Sequence, residues 1–169
     1  MRELIFISGG QRSGKSRFGQ QLAEERSGHP VYLATARVWD ADFRTRIERH
    51  QLDRGDQWTT LEEETTLGDL VLDGKTVLLD CITLWLTNLF HDLDYKREPA
   101  LKRAKQEWEK LMRQDCSLIV ISNEIGMGVH AERESARYFA DLQGWMNQEI
   151  AGMANEVYLM VSGLALQLK

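Results

Sequence analysis

Short, unbroken apolar runs alternate along the chain with longer stretches in which apolar residues recur every three or four positions. Leu4 to Ile7, Val31 to Ala34, Val77 to Leu79, Leu118 to Ile121 and Val157 to Val161 are the continuous runs. Aliphatic and β-branched residues in sequence, without alternation, predict strands covered on both faces. Between them, residues 15–26, 40–53, 99–113 and 132–153 read as helices, and Cys81 to Asn88 as a shorter one. Phe43 and Ile47 mark one face of the second helix, and Pro99 opens the third, where the first turn tolerates it. Ala136, Phe139, Leu142, Met146, Ile150 and Met153 form the stripe of the last. Strand and helix in turn predict an α/β, three-layer fold around a mainly parallel sheet with right-handed crossovers. The tail, Val157 to Lys169, predicts two short strands around Ser162-Gly163, an antiparallel hairpin at the sheet edge.

Composition narrows this picture little. A chain of 169 residues, 43% hydrophobic and 28% charged, suits one domain spanning 1–169. Its two prolines, Pro30 and Pro99, mark no linker, and there is no repeat or low-complexity tract. No apolar run approaches the roughly 20 residues of a membrane span, and the apolar stretch before Gly9 is too short for a signal peptide. A cytoplasmic protein is expected. Cys81 and Cys116 have no CxxC partners and read as small buried hydrophobes. A net charge of −5 argues against a surface that coats nucleic acid, but not against a nucleotide pocket.

The candidate chemistry begins where the first strand ends. Gly9-Gly10-Gln11-Arg12-Ser13-Gly14-Lys15-Ser16 matches G-x-x-x-x-G-K-S between a predicted strand and a predicted helix. The glycines let backbone N–H groups turn inward around phosphate oxygens. The helix opening near Lys15 points its positive end at the same anion. Lys15 is expected to reach the β- and γ-phosphates, and Ser16 to ligate Mg²⁺. Asp80 closes the apolar run Val77-Leu78-Leu79 and is the candidate second metal group, the alternative being a strand-end turn or helix N-cap. The fold expected is therefore the P-loop NTPase type. No N-K-x-D is present, which weakens a GTPase-switch reading. Three function classes stay open: a transferase, a kinase of some small hydroxyl compound, and a nucleotide-dependent binding or switch protein.

Arg44-Thr45-Arg46-Ile47-Glu48-Arg49-His50 is the other informative stretch. On a helix, His50 lies three residues after Ile47 and four after Arg46, towards the protein body. Arginine there would keep the imidazole neutral and steady a phosphate. Spacing alone equally describes a structural histidine on a basic helix.

The P-loop does not stand alone. Ala34-Thr35-Ala36, Arg46-Ile47-x-x-His50, Trp58-x-Thr60-x-Glu62, Leu79-Asp80-Cys81-Ile82-Thr83 and Thr87-Asn88-Leu89 follow it. Then come Ser122-Asn123-Glu124-x-Gly126-x-Gly128, Ala136-Arg137-x-Phe139-x-Asp141-x-x-Gly144-x-x-Asn147 and Glu156-Val157-x-Leu159-x-Val161-Ser162-Gly163. In this combination, nearly end to end, the chain resembles the bifunctional adenosylcobinamide kinase/adenosylcobinamide-phosphate guanylyltransferase family of cobalamin assembly.

The resemblance implies two reactions. The γ-phosphate of ATP or GTP would pass to the aminopropanol hydroxyl of adenosylcobinamide. GTP would then give GMP to adenosylcobinamide phosphate through a guanylylated histidine, matched by His50, with release of pyrophosphate. The resemblance also places Thr35, Ala36, Arg37, Arg46, Gln51, Glu62 and Asp80 with the P-loop residues Gly9 to Ser16 around the nucleotide. It implies Mg²⁺ held through Ser16 and Asp80, and a homotrimer with Trp85 among the possible contacts. Glu62 otherwise reads as one of a solvated acidic run, Glu62-Glu63-Glu64. One departure is the loop after Gly128, where the family usually carries a proline and this chain has Val129-His130-Ala131.

Overall fold

The computed structural model describes residues 1–37 and 55–169; the helix expected over 40–53, with Arg46, His50 and Gln51, lies outside the described residues. In chain order the described elements are β1 (Glu3–Gly9), α1 (Lys15–Arg26), β2 (Val31–Ala34), β3 (Thr59–Glu62) and β4 (Thr76–Asp80). They continue with α2 (Ile82–Asp92), α3 (Arg97–Met112), β5 (Ser117–Ile121), α4 (Glu134–Met153), β6 (Glu156–Val161) and β7 (Leu164–Gln167). A 3₁₀ turn, Leu67–Asp69, follows β3.

The strands form one sheet in the order β3-β2-β4-β5-β1-β6-β7. All neighbours are parallel except β6 and β7, which pair antiparallel with Val161 opposite Leu164. The expected C-terminal hairpin is therefore present.

The continuous apolar runs do what their pattern requires, feeding two cores through one alternation. Leu4, Phe6, Val77, Leu79, Leu118 and Val120 face one way, into a core shared with residues of α2, α3 and α4. Ile5, Ile7, Leu78, Ile119 and Ile121 face the other way, into a smaller core beneath α1. Helices on both faces make three layers. Gly19 lets α1 lie close on the sheet, since a Cβ there would stand 2.8 Å from Leu78 Cδ1.

β3 has no apolar run, because it is an edge strand with Thr59, Thr60 and Glu62 exposed. Trp85, expected as a possible subunit contact, is fully buried, and its Nε1 donates to the Thr65 carbonyl oxygen at 2.9 Å. It is core, as is Trp108. Cys81 and Cys116 are buried and free, as their lone spacing predicts. No described helix is long and apolar enough to cross a membrane.

Candidate functional site

The site grows from the turn between β1 and α1. Gly9 has φ 151°, and a Cβ on it would stand 2.5 Å from the Met160 carbonyl oxygen of β6. Arg12 (φ 57°) and Gly14 (φ 96°) then take left-handed conformations that fold the loop back onto the first turn of α1. Gly14 is the N-cap residue, and α1 carries no acidic side chain in its first turn, so its positive end is left for an external anion. The Ser13 hydroxyl oxygen is buried in the loop without a hydrogen-bond partner. The turn between β6 and β7 braces the loop from behind, where the Gly163 N–H donates to the Ser13 carbonyl oxygen at 3.0 Å. Gly9→Ala is expected to cost on the order of 2 kcal/mol, from the clash and the disfavoured φ together. A lowered urea midpoint at unchanged m-value is the measurement.

Lys15 is 7% exposed and curls onto its own loop, with Nζ 3.0 Å from the Gly9 carbonyl oxygen and 2.6 Å from that of Gly10. Burial pushes its pKa down, and the neighbouring Cys81 and Asp80 partly oppose this. An arriving phosphate would replace the two carbonyls as the partner of a poorly solvated ammonium.

Asp80 lies across the sheet from the loop. Its Oδ2 accepts from the Ser16 hydroxyl at 2.8 Å and from the Tyr32 hydroxyl at 3.0 Å. The N-cap alternative does not hold, because Cys81 occupies the N-cap of α2 and no side chain caps that helix. Tyr32 is a site residue that sequence reasoning missed. In sequence it is one more apolar residue of β2, and only the parallel pairing of β2 with β4, Tyr32 beside Leu78, brings its hydroxyl to Asp80. Burial pushes the Cys81 thiol up to about 12, so it is a neutral packing group rather than a nucleophile.

Gln11, Arg12, Ser13, Gly14, Lys15, Ser16 and Asp80 border one cavity of about 400 Å³ with Cys81, Ile121 and Asn123. The structure thus brings together most of the expected phosphate and metal groups. The residues just after β2 do not line it. Thr35 is buried, accepts from the Cys81 N–H at 2.9 Å and donates to the Cys81 carbonyl oxygen at 2.7 Å, which ties β2 to the residue after Asp80. Asn88 of α2 donates to the Thr35 carbonyl oxygen at 2.8 Å. Arg37 pairs with Glu64 at 2.6 Å and Asp92 at 2.7 Å, and does not border the cavity.

The acidic run divides its labour. Glu63 accepts from the N–H groups of Thr65 and Thr66, Glu64 holds Arg37, and Glu62 is exposed at the end of β3. His130 is exposed in the loop after β5. A second cavity of about 440 Å³, between α2 and α3 and lined in part by Leu89, Pro99 and Lys102, contains none of the phosphate-binding groups.

The sequence matches known proteins along nearly its whole length. A family model described as "Cobinamide kinase / cobinamide phosphate guanyltransferase" matches residues 5–168. The bifunctional adenosylcobalamin biosynthesis protein CobP of Pseudomonas aeruginosa is 39% identical, covering 100% of this chain and 98% of that protein. The proteins named CobU of Escherichia coli K12 and Salmonella typhimurium are 35% and 33% identical, each over 98% of this chain and 99% of its own. Among solved structures, flagellar accessory protein FlaH of Methanocaldococcus jannaschii aligns with a TM-score of 0.48 at 13% identity, over 99% of this chain and 78% of that one. Matched from its first strand to its last, and carrying the phosphate loop in place, the chain belongs to the cobinamide kinase / cobinamide phosphate guanyltransferase family.

Proposed function

We propose that this protein phosphorylates adenosylcobinamide on its aminopropanol hydroxyl, using ATP or GTP, and then transfers GMP from GTP to the phosphate so formed. The observation that carries this reading is the convergence of Lys15, Ser16 and Asp80 on one cavity, in a chain that matches the family over residues 5–168. In the first step the hydroxyl oxygen attacks the γ-phosphorus and the nucleoside diphosphate leaves. Such transfer needs positioning and charge stabilisation rather than covalent help from the protein. In the second, a neutral His50 nitrogen attacks the α-phosphorus of GTP, the bond to the β-phosphate oxygen breaks, and pyrophosphate leaves as the ring gives up its proton. An oxygen of adenosylcobinamide phosphate then displaces the histidine, which yields adenosylcobinamide-GDP and free His50. Gly9 to Ser16, Thr35, Ala36, Arg37, Arg46, Gln51 and Glu62 are the residues we assign to the nucleotide.

The Ser16 hydroxyl and the Asp80 carboxylate fit Mg²⁺. They are hard oxygen donors within one hydrogen bond of each other, and no cluster of three acidic, histidine or cysteine ligands exists among the described residues. Mg²⁺ takes few protein ligands and leaves the rest to phosphate and water. When bound, it neutralises charge on the β- and γ-oxygens. Tyr32 holds Asp80 from behind. Tyr32→Phe keeps the ring in the core and removes one donor, so the Mg²⁺ concentration for half-maximal nucleotide binding is expected to rise roughly tenfold. An unchanged Mg²⁺ titration would leave Tyr32 a purely structural residue.

A homotrimer and a cytoplasmic location complete the proposal. Support for the trimer is the family resemblance and the apolar edge at β7, where Leu164 and Leu166 are exposed; sedimentation equilibrium tests it. The activity itself is tested by supplying purified protein with adenosylcobinamide, Mg²⁺ and GTP. Adenosylcobinamide-GDP with one pyrophosphate per molecule is expected. A protein that phosphorylates some other alcohol and leaves adenosylcobinamide untouched would refute the substrate.

A further inference from the structure

Behind the cavity lies a buried polar trio on the far face of the sheet. Ser122, Gln143 and Asn147 are 0%, 1% and 7% exposed. The Ser122 hydroxyl donates to Asn147 Oδ1 at 2.6 Å, and Gln143 Nε2 donates to Ser122 Oγ at 2.6 Å and Asn147 Oδ1 at 3.3 Å. With two donors on its oxygen, the Asn147 amide must turn its nitrogen outward, and Nδ2 donates to the Asn123 carbonyl oxygen at 3.1 Å. Three buried polar side chains are a poor way to stabilise a helix on a sheet. Each must be desolvated, and Gln143 Oε1 is left without a partner. What the trio does fix is Asn123.

Asn123 is pinned from every backbone direction. Its N–H donates to the Thr83 hydroxyl at 3.0 Å. Before it, the Ser122 N–H donates to the Ile7 carbonyl oxygen at 2.9 Å; after it, the Glu124 N–H donates to that of Gly9 at 3.0 Å. β5 lies between β1 and β4, and Ile121 stands in register with both Ile7 and Asp80. Ile121 packs into the core beneath α1, while Ser122 reaches α4 on the other face. Alternation therefore returns Asn123 to the α1 side, where it borders the cavity together with Lys15, Ser16 and Asp80. Its carboxamide makes no hydrogen bond among the described residues, so a rigidly held backbone presents an open donor to the site.

We propose that Asn123 donates from its side-chain nitrogen to the terminal phosphoryl group of a bound nucleoside triphosphate, and that Asn147 is the positioning residue that holds it there. This rests on the nucleotide site proposed above. The amides of the loop and α1 surround the phosphate seated in the turn. The terminal group extends past Lys15 towards the strand ends, and Asn123 meets it from β5. A neutral donor is suited to this place, because it stabilises the phosphoryl oxygens without competing with Asp80 for the cation.

The test is calorimetric titration of the full chain, with Mg²⁺, using GDP and a GTP whose α–β bridge is a methylene group, which cannot transfer GMP. Asn123→Ala is expected to weaken the triphosphate roughly tenfold and to leave GDP within about twofold. Asn147→Leu is expected to lose the same discrimination, and the double variant no more than Asn123→Ala alone, since both act through one contact. Thr83→Val, which frees the other side of the Asn123 backbone, serves the same purpose should Asn147→Leu fail to fold. Equal losses for GDP and the triphosphate, or an unchanged ratio, would overturn the proposal while the nucleotide site stands. A wild-type protein that binds neither ligand would overturn both.

Discussion

Lys15→Ala is expected to lower both phosphoryl transfer and guanylyl transfer by on the order of a thousandfold, with the protein still folded. The expectation of intact folding comes from the resting contacts of the side chain. Its ammonium is buried against two loop carbonyls, and burial depresses its pKa. A charge held at that disadvantage contributes little to stability, and alanine relieves the desolvation. The expectation of lost activity comes from the same burial. In a water-poor cavity a fixed cation opposite developing phosphate charge is worth far more than at a surface. Only one loop of this type exists in the chain, so one lysine must serve both reactions. Separate assays of adenosylcobinamide phosphate and of pyrophosphate release measure this. A near-normal rate in either would mean a second nucleotide site.

His50→Ala should separate what Lys15→Ala removes together. Moving a γ-phosphate to a hydroxyl needs the loop, Lys15 and Mg²⁺, none of which His50 supplies. Forming a phosphoramidate with GMP needs an imidazole nitrogen, and alanine has none. The variant is expected to accumulate adenosylcobinamide phosphate at a measurable rate while pyrophosphate release falls to background. His130→Ala should behave as wild type in guanylyl transfer, because only His50 follows the Arg-Ile-x-x-His spacing. Some loss of kinase rate in His50→Ala is compatible with a shared pocket. Sustained conversion to adenosylcobinamide-GDP is not.

The parts of this protein that are legible in its sequence are those set by local pattern. Leu118 to Ile121 reads as a doubly covered strand because both of its faces are apolar, and it is one. The phosphate loop reads as such because glycine, lysine and serine are needed at fixed offsets between a strand and a helix. Thr59 to Glu62 is not legible as a strand, since an edge strand with exposed threonines carries no apolar signature. Tyr32 looks like core until β2 is laid beside β4 and its hydroxyl meets Asp80. Asn147 sits one residue from Met146 on an otherwise apolar stripe, and its meaning depends on Ser122, which only folding brings to it. Arg37 reads as a nucleotide-pocket cation by resemblance, and only folding brings Glu64 and Asp92 to its guanidinium. Pairings between distant elements decide these roles, and no spacing in the chain encodes them.

Incubation of the purified protein with Mg²⁺ and GTP labelled at the α-phosphate, followed by peptide mapping, tests the two-step reading most directly. Label stable to alkali and labile to acid is expected on a peptide containing His50, with none from GTP labelled at the γ-phosphate. His50→Ala should carry no label. Equal α-labelling of wild type and His50→Ala would show that another residue carries GMP, and the covalent route through His50 would be wrong.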